Sequence, residues 1–236
     1  YLFYCSQDDL MSPDLLEKTY EKAIQTGADA VLPDMIYYCE GSENKEKITG
    51  VKGGKNIELT GQEAFELSLS WKIHGFSLRK MSLVKKVGYH DFAMNGDEYT
   101  TREFYLACNK VVFSDGIFYY RQDNKNALTK KITPKSFECV ETDLQLIDLI
   151  IKTNQKKKLL KKMIKRTIGS ILDFYDLLDK NKEQFKTEDI IKINADLKNA
   201  CVKIKRTIFQ QKLYIIWFLY IIKGIVYKIE AYQKGS

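Results

Sequence analysis

The first thirteen residues, YLFYCSQDDLMSP (Tyr1–Pro13), carry the pattern on which the rest of the interpretation depends. An apolar, aromatic run ends abruptly in Asp8 and Asp9, which is typical of a buried strand that delivers acidic side chains to the carboxyl edge of a sheet. Open α/β sheets bind ligands at that edge, and a divalent cation bridged to substrate phosphates needs only one or two carboxylates. In the alternative interpretation, Ser12 caps a helix that begins at Pro13, and the two aspartates are ordinary loop residues.

Alternating helical and extended patterns follow this turn and predict an α/β domain. Residues 13–26 predict a helix whose apolar face includes Leu15 and Leu16. Residues 28–39 (ADAVLPDMIYYC) predict a strand, in which Pro33 indicates an edge position or a break.

The middle of the chain continues this alternation. Residues 75–88 (GFSLRKMSLVKKVG) predict a short strand and a short helix, and the next helix begins at Gly96-Asp97-Glu98. Residues 111–113 and 117–120 predict two strands joined by a hairpin turn between them. Acidic side chains also suit a helix N-terminus, which is the structural alternative to a site role for the Asp-Glu pair.

From Pro134 onwards, apolar residues recur at helical spacing and predict three or four helices, with a break near residues 179–187. The basic surplus of the chain belongs to this region. Residues 149–172 carry eight Lys or Arg and no acidic residue, and residues 197–229 carry seven and none. Such stretches face nucleic acid, an anionic membrane surface or only water. The apolar run Leu213–Ile222 is too short to span a bilayer.

The composition of the 236 residues is that of an ordinary soluble globular chain, with 44% hydrophobic residues. The five cysteines are scattered and form no close pair, so neither a disulfide framework nor a zinc site is indicated, and a reducing cytoplasmic setting is expected. Because Tyr1 already belongs to a strand-like run, we expect the chain to be a fragment of a longer protein.

In their order along the chain, these motifs resemble those of the family 2 glycosyltransferases. The resemblance rests on Ser6-Gln7-Asp8-Asp9 after an aromatic strand, the GADAV strand, the Gly-Asp-Glu helix start and the segment VVFSDGIFYYRQDNKNALT (residues 111–129). It covers residues 1–131 and is greatest to bacterial enzymes that make capsular or other surface polysaccharides. It implies an α/β fold with a GT-A-like mixed sheet flanked by helices. The nucleotide-binding N-terminal portion of the GT-A fold is absent from this chain. An all-helical region at residues 132–236 follows.

The resemblance also implies an inverting transfer from a nucleotide-diphosphate sugar to a saccharide or lipid-linked acceptor, assisted by Mg²⁺ or Mn²⁺. The Asp-x-Asp metal motif of the family falls on Ser6-Gln7-Asp8, so Ser6 replaces the first aspartate, and Asp8 with Asp9 would hold the ion. Asp97 stands at the position of the catalytic base, with Glu98 as the fallback, although one acid of that pair is missing. Without the nucleotide-binding portion, we expect the fragment alone to be inactive.

Five residues are predicted to bind substrate: Ser6, Gln7, Gly75, Arg102 and Arg121. The two arginines are candidates because a guanidinium group binds phosphate or acceptor oxygens in a bidentate way. Their alternative role is an ion pair with one of the acidic residues of the helix that begins at residue 96.

The end of the helical region combines aromatic and basic residues: Tyr214, Trp217, Tyr220 and Tyr227 beside Lys212, Lys223 and Lys228. This composition suits a helix that lies in a membrane interface, here the inner face of the cell membrane. Alternatively, the apolar side packs on the other helices or on a second subunit of a homo-oligomer.

Two further function classes stay open. Because Ser6 and Gly96 depart from the family pattern, the domain could serve as a non-catalytic scaffold or interaction module. The basic helices could instead bind nucleic acid, but the basic residues are nearly all lysines and no base-reading motif is present, so we expect no nucleic-acid partner.

Overall fold

The computed structural model describes residues 1–41, 46–125, 127 and 130–222. The chain divides into two compact units. The first comprises Tyr1–His90 and Asp97–Lys130, and the second comprises Asp91–Gly96 and the chain from Lys131 onwards.

The first unit is built on a mixed sheet, which confirms the predicted α/β class. Its strands in chain order are β1 (Leu2–Phe3), β2 (Leu10–Met11), β3 (Ala30–Tyr38), β4 (Lys47–Ile48), β5 (Leu78–Arg79) and β6 (Val111–Arg121). The order across the sheet is β1-β5-β3-β6-β2, and β4 pairs with β3. Only the β3–β6 pair is parallel among the strands that the structure describes, and these two long strands form the centre of the sheet.

The prediction of one buried strand before the acidic turn is wrong. The segment instead forms the two short strands β1 and β2, on opposite sides of the turn. Strand β1 is half-buried and pairs with β5, whereas Tyr1 and Tyr4 on either side of it are exposed. An apolar, aromatic run has no alternating polar positions that would reveal an exposed face, so the pattern does not distinguish an edge from a core strand.

The predicted hairpin at residues 114–116 is also wrong, because β6 runs straight through it. Both halves of β6 pair with β3, and three residues of β6 oppose Pro33 between the Leu32–Phe113 and Asp34–Ile117 pairs. Proline has no N–H to donate to a ladder, and a bulge opposite it removes the need for that bond. The proline therefore marks an irregularity in a central strand rather than an edge.

The helices that the structure describes in the first unit are α1 (Leu15–Thr26), α2 (Gly61–Ser68), α3 (Met81–Val87) and α4 (Gly96–Ala107). Gly27 ends α1 in the left-handed conformation. Leu15 of α1 is buried with Met35 and Phe118, but Leu16 is 49% exposed, so its predicted place on the apolar face is wrong. Adjacent helical residues point about 100° apart, which leaves Leu16 outside the buried stripe.

Ser12 does not cap α1, because the capping position is Asp14. The Ser12 hydroxyl donates to the Asp14 carboxylate over 2.6 Å and accepts from the backbone N–H of Ile117 over 3.1 Å. The alternative in which Ser12 is a helix cap is therefore wrong. This serine instead links the segment between β2 and α1 to β6.

In the part that the structure describes, the second unit is helical, and a short 3₁₀ turn (Pro134–Glu138) precedes its α-helices. These are α5 (Cys139–Lys152), α6 (Lys157–Asn181), α7 (Thr187–Gln210) and α8 (Tyr214–Ile222), so the predicted break after residue 179 is confirmed. No helix in the described ranges combines the length and the apolar character that crossing a bilayer requires. The side chain of Tyr220 and the residues Lys223, Tyr227 and Lys228 of the predicted interfacial helix lie outside the described residues.

Candidate functional site

The acidic turn Ser6–Asp9 connects β1 to β2 and is fixed by contacts to the chain beyond β6. The Ser6 hydroxyl donates to Oδ1 of Asp8 over 3.0 Å, and the Asn124 amide donates to Oδ2 of Asp8 over 2.7 Å. The backbone N–H of Arg121 donates to Oδ1 of Asp9 over 3.0 Å. The end of β6 therefore orients Asp9, and the segment just beyond it, together with Ser6, orients Asp8.

The pKa values of the two carboxyl groups are shifted in opposite directions. Hydrogen bonds from Asn124 and then Ser6 lower the pKa of Asp8 below its usual range. Burial raises the pKa of Asp9, and the negative charge of Asp8 raises it further, against the effect of the bond from Arg121. A cation bound at this turn would relieve the repulsion between the two carboxylates.

The side chain of Arg121 extends from the end of β6 towards acidic residues. Its Nε lies 2.6 Å from Oδ1 of Asp123, and its Nη2 lies 3.7 Å from Oε2 of Glu40. The structure thus places Arg121 beside the Asp8–Asp9 turn, but pairs it with carboxylates outside the helix that begins at residue 96. Its substrate-binding role stays a prediction.

Asp97 and Glu98 occupy the first turn of α4, and their environments differ. Asp97 is exposed. Glu98 forms an ion pair with Arg102 one turn later, and the side chains of this pair are 19% and 4% exposed. Arg102 also donates to the backbone carbonyls of Glu98 and Ser68, and its guanidinium lies 5.5 Å from the Trp71 ring centre. The described contacts of Arg102 are therefore those of a buried structural cation.

Gly75 lies in the loop between α2 and β5, against α4. A Cβ atom at Gly75 would lie 3.0 Å from Cγ2 of Thr101, so only a residue without a side chain fits without displacing its neighbour. The Gly75 carbonyl accepts from Nη2 of Arg79 over 2.9 Å. Arg79 is 7% exposed, also donates to Thr101 and Ser77, and has no carboxylate within ion-pair distance in the described part of the chain.

Tyr120, which was not among the site residues predicted from the sequence, lies near both Asp9 of the turn and the acidic start of α4. It lies on β6 one residue before Arg121, and its ring centre is 5.4 Å from that of Phe76 and 5.9 Å from that of Tyr37. Burial raises the pKa of Tyr120, and the charges of Asp9, Asp97 and Glu98 raise it further. Asp9 of the turn and the two acidic residues of α4 therefore lie close enough to Tyr120 to act on its phenol group.

Asn124 and Arg79 were also missed by sequence reasoning. Asn124 stands in a polar run after β6 that has no periodicity, so nothing local indicates its bond to Asp8. Arg79 is a lone arginine in a short strand, a pattern that a surface residue also gives. Only the register of β6 brings Asn124 to the acidic turn, and only the path of the loop before β5 brings Arg79 against Gly75.

A divalent ion is compatible with the acidic turn. No group of three or more His, Cys, Asp or Glu that could hold a metal occurs within the described ranges. Mg²⁺ in substrate complexes typically uses only one or two protein carboxylates, and substrate phosphates with water complete its coordination. Asp8 and Asp9 supply such a pair, and their mutual repulsion favours a bound cation.

Comparison with known proteins finds similarity to a glycosyltransferase in sequence and to solved structures in fold. No protein-family model matches the chain. Glycosyltransferase GlyG of Streptococcus pneumoniae serotype 4 is 26% identical over 131 residues, which cover 52% of this chain and 44% of the relative. The chain thus matches less than half the length of that relative.

The crystal structure of S. aureus TarS 1–349 in complex with UDP-GlcNAc has a TM-score of 0.52 and 12% identity to this chain. The match covers 96% of this chain and 64% of the TarS chain. At this identity the likeness concerns the fold. The similarity to GlyG confirms the resemblance to glycosyltransferases, and the likeness to TarS confirms the mixed sheet flanked by helices.

Proposed function

We propose that this chain is the acceptor-side part of a family 2 glycosyltransferase that transfers a sugar from a nucleotide-diphosphate donor with inversion. Residues 1–131 form its glycosyltransferase portion. The acceptor is a saccharide or a lipid-linked saccharide of a surface polysaccharide, and the enzyme works in the cytoplasm at the inner face of the membrane. The similarity to GlyG and the fold likeness to the UDP-GlcNAc-binding TarS support the transferase and the donor class.

The observation that carries the proposal is the convergence of two acidic groups on Tyr120. One group, Asp9, belongs to a turn whose carboxylates suit a cation, and the other begins α4. Glycosyl transfer by single displacement needs a stabilised diphosphate leaving group and a base for the acceptor hydroxyl. Two separate sets of carboxylates, each close enough to act on the Tyr120 phenol, would meet both needs.

Asp97 is the better candidate for the base. The Glu98 carboxylate is already occupied by its ion pair with the buried guanidinium of Arg102. Asp97 is exposed at the same helix start, where a substrate hydroxyl can reach it. In the proposed reaction, Asp97 takes the proton of the acceptor hydroxyl while the hydroxyl oxygen bonds to the anomeric carbon and the bond to the diphosphate breaks.

Asp8 and Asp9 would hold Mg²⁺ or Mn²⁺, and the ion would neutralise charge that develops on the diphosphate. Ser6 and Asn124 keep Asp8 oriented, and the backbone of Arg121 keeps Asp9 oriented. Gln7 lies in the same turn and would contact the bound diphosphate through its backbone, and the Arg121 side chain would exchange a carboxylate for a phosphate oxygen.

A non-catalytic scaffold is the second candidate. It is favoured by Ser6 and Gly96, which stand where the family has acids, and by the ion pairs that already engage Arg102 and Arg121. A scaffold would keep the fold and the buried pairs without turning over a donor.

The test measures turnover of nucleotide-diphosphate sugars by the full-length protein, here called the parent protein, and by three variants of it. Each is assayed with Mn²⁺ or Mg²⁺ and then with chelator. Asp97→Asn should lower kcat about 10²- to 10⁴-fold with little change in the donor KM, because general-base catalysis is worth that much. Asp8→Asn should raise the metal concentration needed for half-maximal rate. Asp91→Asn, which changes an exposed carboxylate close by in sequence, is the control and should leave both quantities unchanged.

Metal-dependent release of nucleotide that is lost in Asp97→Asn but not in Asp91→Asn would support the transferase. An Asp97→Asn protein of near-normal kcat would exclude this residue as the base. No turnover across the donor panel by a folded parent protein, supplied with a lipid-linked acceptor, would favour the scaffold.

A further inference from the structure

The second unit has a marked charge asymmetry along its two longest helices. Helices α6 and α7 pack on each other, and only residues 182–186 connect them, so they run antiparallel. They have 25 and 24 residues, so the start of α6 and the end of α7 lie at the same end of the pair.

This shared end is basic. Eight exposed cations line it without an ion pair to any residue that the structure describes, five from α6 and three from α7 and its end: Lys157, Lys158, Lys161, Lys162, Lys165, Lys205, Arg206 and Lys212. Two further cations, Arg166 and Lys203, are neutralised by Asp143 and Asp148 of α5. We call this the basic end.

The opposite end, around the connection, is acidic. The acidic residues of α6, α7 and their connection are confined to it: Asp173, Asp176, Asp179, Glu183, Glu188, Asp189 and Asp196. Four lysines are interspersed among them: Lys180, Lys182, Lys186 and Lys192. The asymmetry is therefore one of position and not merely of net charge.

Exposed apolar side chains also lie at the basic end. Most of them belong to α8, and the end of α7 supplies Phe209. Tyr214 is 54% exposed, Ile215 is 72% exposed and Phe218 is 62% exposed. Phe209 of α7 contacts the rings of Tyr214 and Trp217, with 5.8 Å between ring centres in each case.

The geometry of the connection explains why α8 stays at this end. Lys212 adopts the left-handed conformation (φ 52°), and the N–H of Leu213 donates to the Ile208 carbonyl over 2.9 Å. This is a Schellman ending, which stops α7 and lets a new helix begin in another direction. The Nζ of Lys205 lies 5.2 Å from the Trp217 ring centre, so cations and rings share one surface.

We propose that the basic end of the second unit, with the exposed face of α8, binds an anionic membrane surface. Lysines at lipid phosphates and partly exposed rings and aliphatic chains at headgroup depth are the two components of interfacial binding. A nucleic acid would use the cations but would leave Ile215 and Phe218 in water. The proposal depends on this unit alone and not on the proposed transfer reaction.

The test measures binding of the full chain to vesicles of phosphatidylcholine with 30% phosphatidylglycerol, to neutral phosphatidylcholine vesicles and to duplex DNA. The basic-end variant carries Lys→Glu at residues 157, 158, 161 and 162. The matched control carries Lys→Glu at residues 180, 182, 186 and 192 and so has the same net charge. Because each basic residue at an anionic surface is worth about fivefold in affinity, the basic-end variant should lose at least tenfold. The control should stay within about threefold.

A second variant, Ile215→Asp with Phe218→Asp, tests the apolar component. Both side chains are largely exposed, so the fold should tolerate the change, which circular dichroism would verify. We expect at least a tenfold loss of vesicle binding and no change in DNA binding. Equal losses for the basic-end variant and its control, unaltered binding of the aspartate variant, or DNA binding without vesicle binding would each overturn the proposal.

Discussion

The ion pair between Glu98 and Arg102 should be a large contributor to the stability of the first unit, and Glu98→Gln tests this. The substitution keeps size and shape but leaves the guanidinium of Arg102 without its charged partner in a site where its side chain is 4% exposed. Removing one partner of a buried pair costs about 3–5 kcal/mol. Glu98 retains 19% exposure and Arg102 keeps two carbonyl acceptors, so we expect a loss of about 2 kcal/mol.

The natural reporter for this measurement is Trp71, whose ring lies 5.5 Å from the Arg102 guanidinium. The chain has two tryptophans, so a Trp217→Phe background makes Trp71 fluorescence specific for the first unit. In urea, a loss of about 2 kcal/mol should move the unfolding midpoint by roughly 1 M.

Glu103→Gln is the matched control on the same helix. Glu103 pairs with His90, and the two side chains are 28% and 35% exposed. A partly exposed pair of this kind contributes about 0.2–1 kcal/mol. If Glu98→Gln costs no more than Glu103→Gln, Arg102 is not the buried structural cation described above, and its role as a substrate ligand regains support.

Two further predictions concern packing and pH. A Cβ at Gly61 would lie 2.2 Å from the Cys108 carbonyl oxygen, so Gly61→Ala should destabilise the first unit by about 2–4 kcal/mol in urea unfolding. A Cβ at Gly169 would have no atom within 4 Å, so Gly169→Ala should stabilise the second unit by about 1 kcal/mol in the same measurement. Because the pKa of Asp9 is raised in the folded state, its contribution to stability is present at low pH and is lost as the pH rises through that pKa. In chelator, the stability of Asp9→Asn relative to the parent should therefore increase from pH 3.5 to pH 7, and an unchanged or falling difference would contradict the assigned shift.

Patterns that are local in sequence predicted local structure well. The helix predicted at residues 13–26 forms at Leu15–Thr26. The strand and helix at residues 75–88, the start of α4 at Gly96 and the end of β6 at Arg121 also agree with the sequence patterns. Each depends on contacts within a few residues.

Strand pairing could not be predicted in the same way. Ser114-Asp115-Gly116 has the composition of a hairpin turn, but Gly116 meets another requirement: a Cβ there would lie 2.9 Å from the Cα of Leu15. Glycine is needed for the close approach of α1, which the local sequence does not reveal. Similarly, the sequence gives no sign that Arg102 would be buried beside Trp71 rather than at a substrate.

These pairing errors bear directly on the site, because the continuous path of β6 is what builds the acidic turn. Asp9 and Arg121 are 112 residues apart in sequence, and their bond exists only because β6 continues past residue 116 to the edge where the turn lies. A hairpin at residues 114–116 would have returned Tyr120 towards the start of the strand and away from the carboxylates. Changes at the bulge opposite Pro33 should therefore affect the orientation of Asp9, although no residue of the bulge is part of the site.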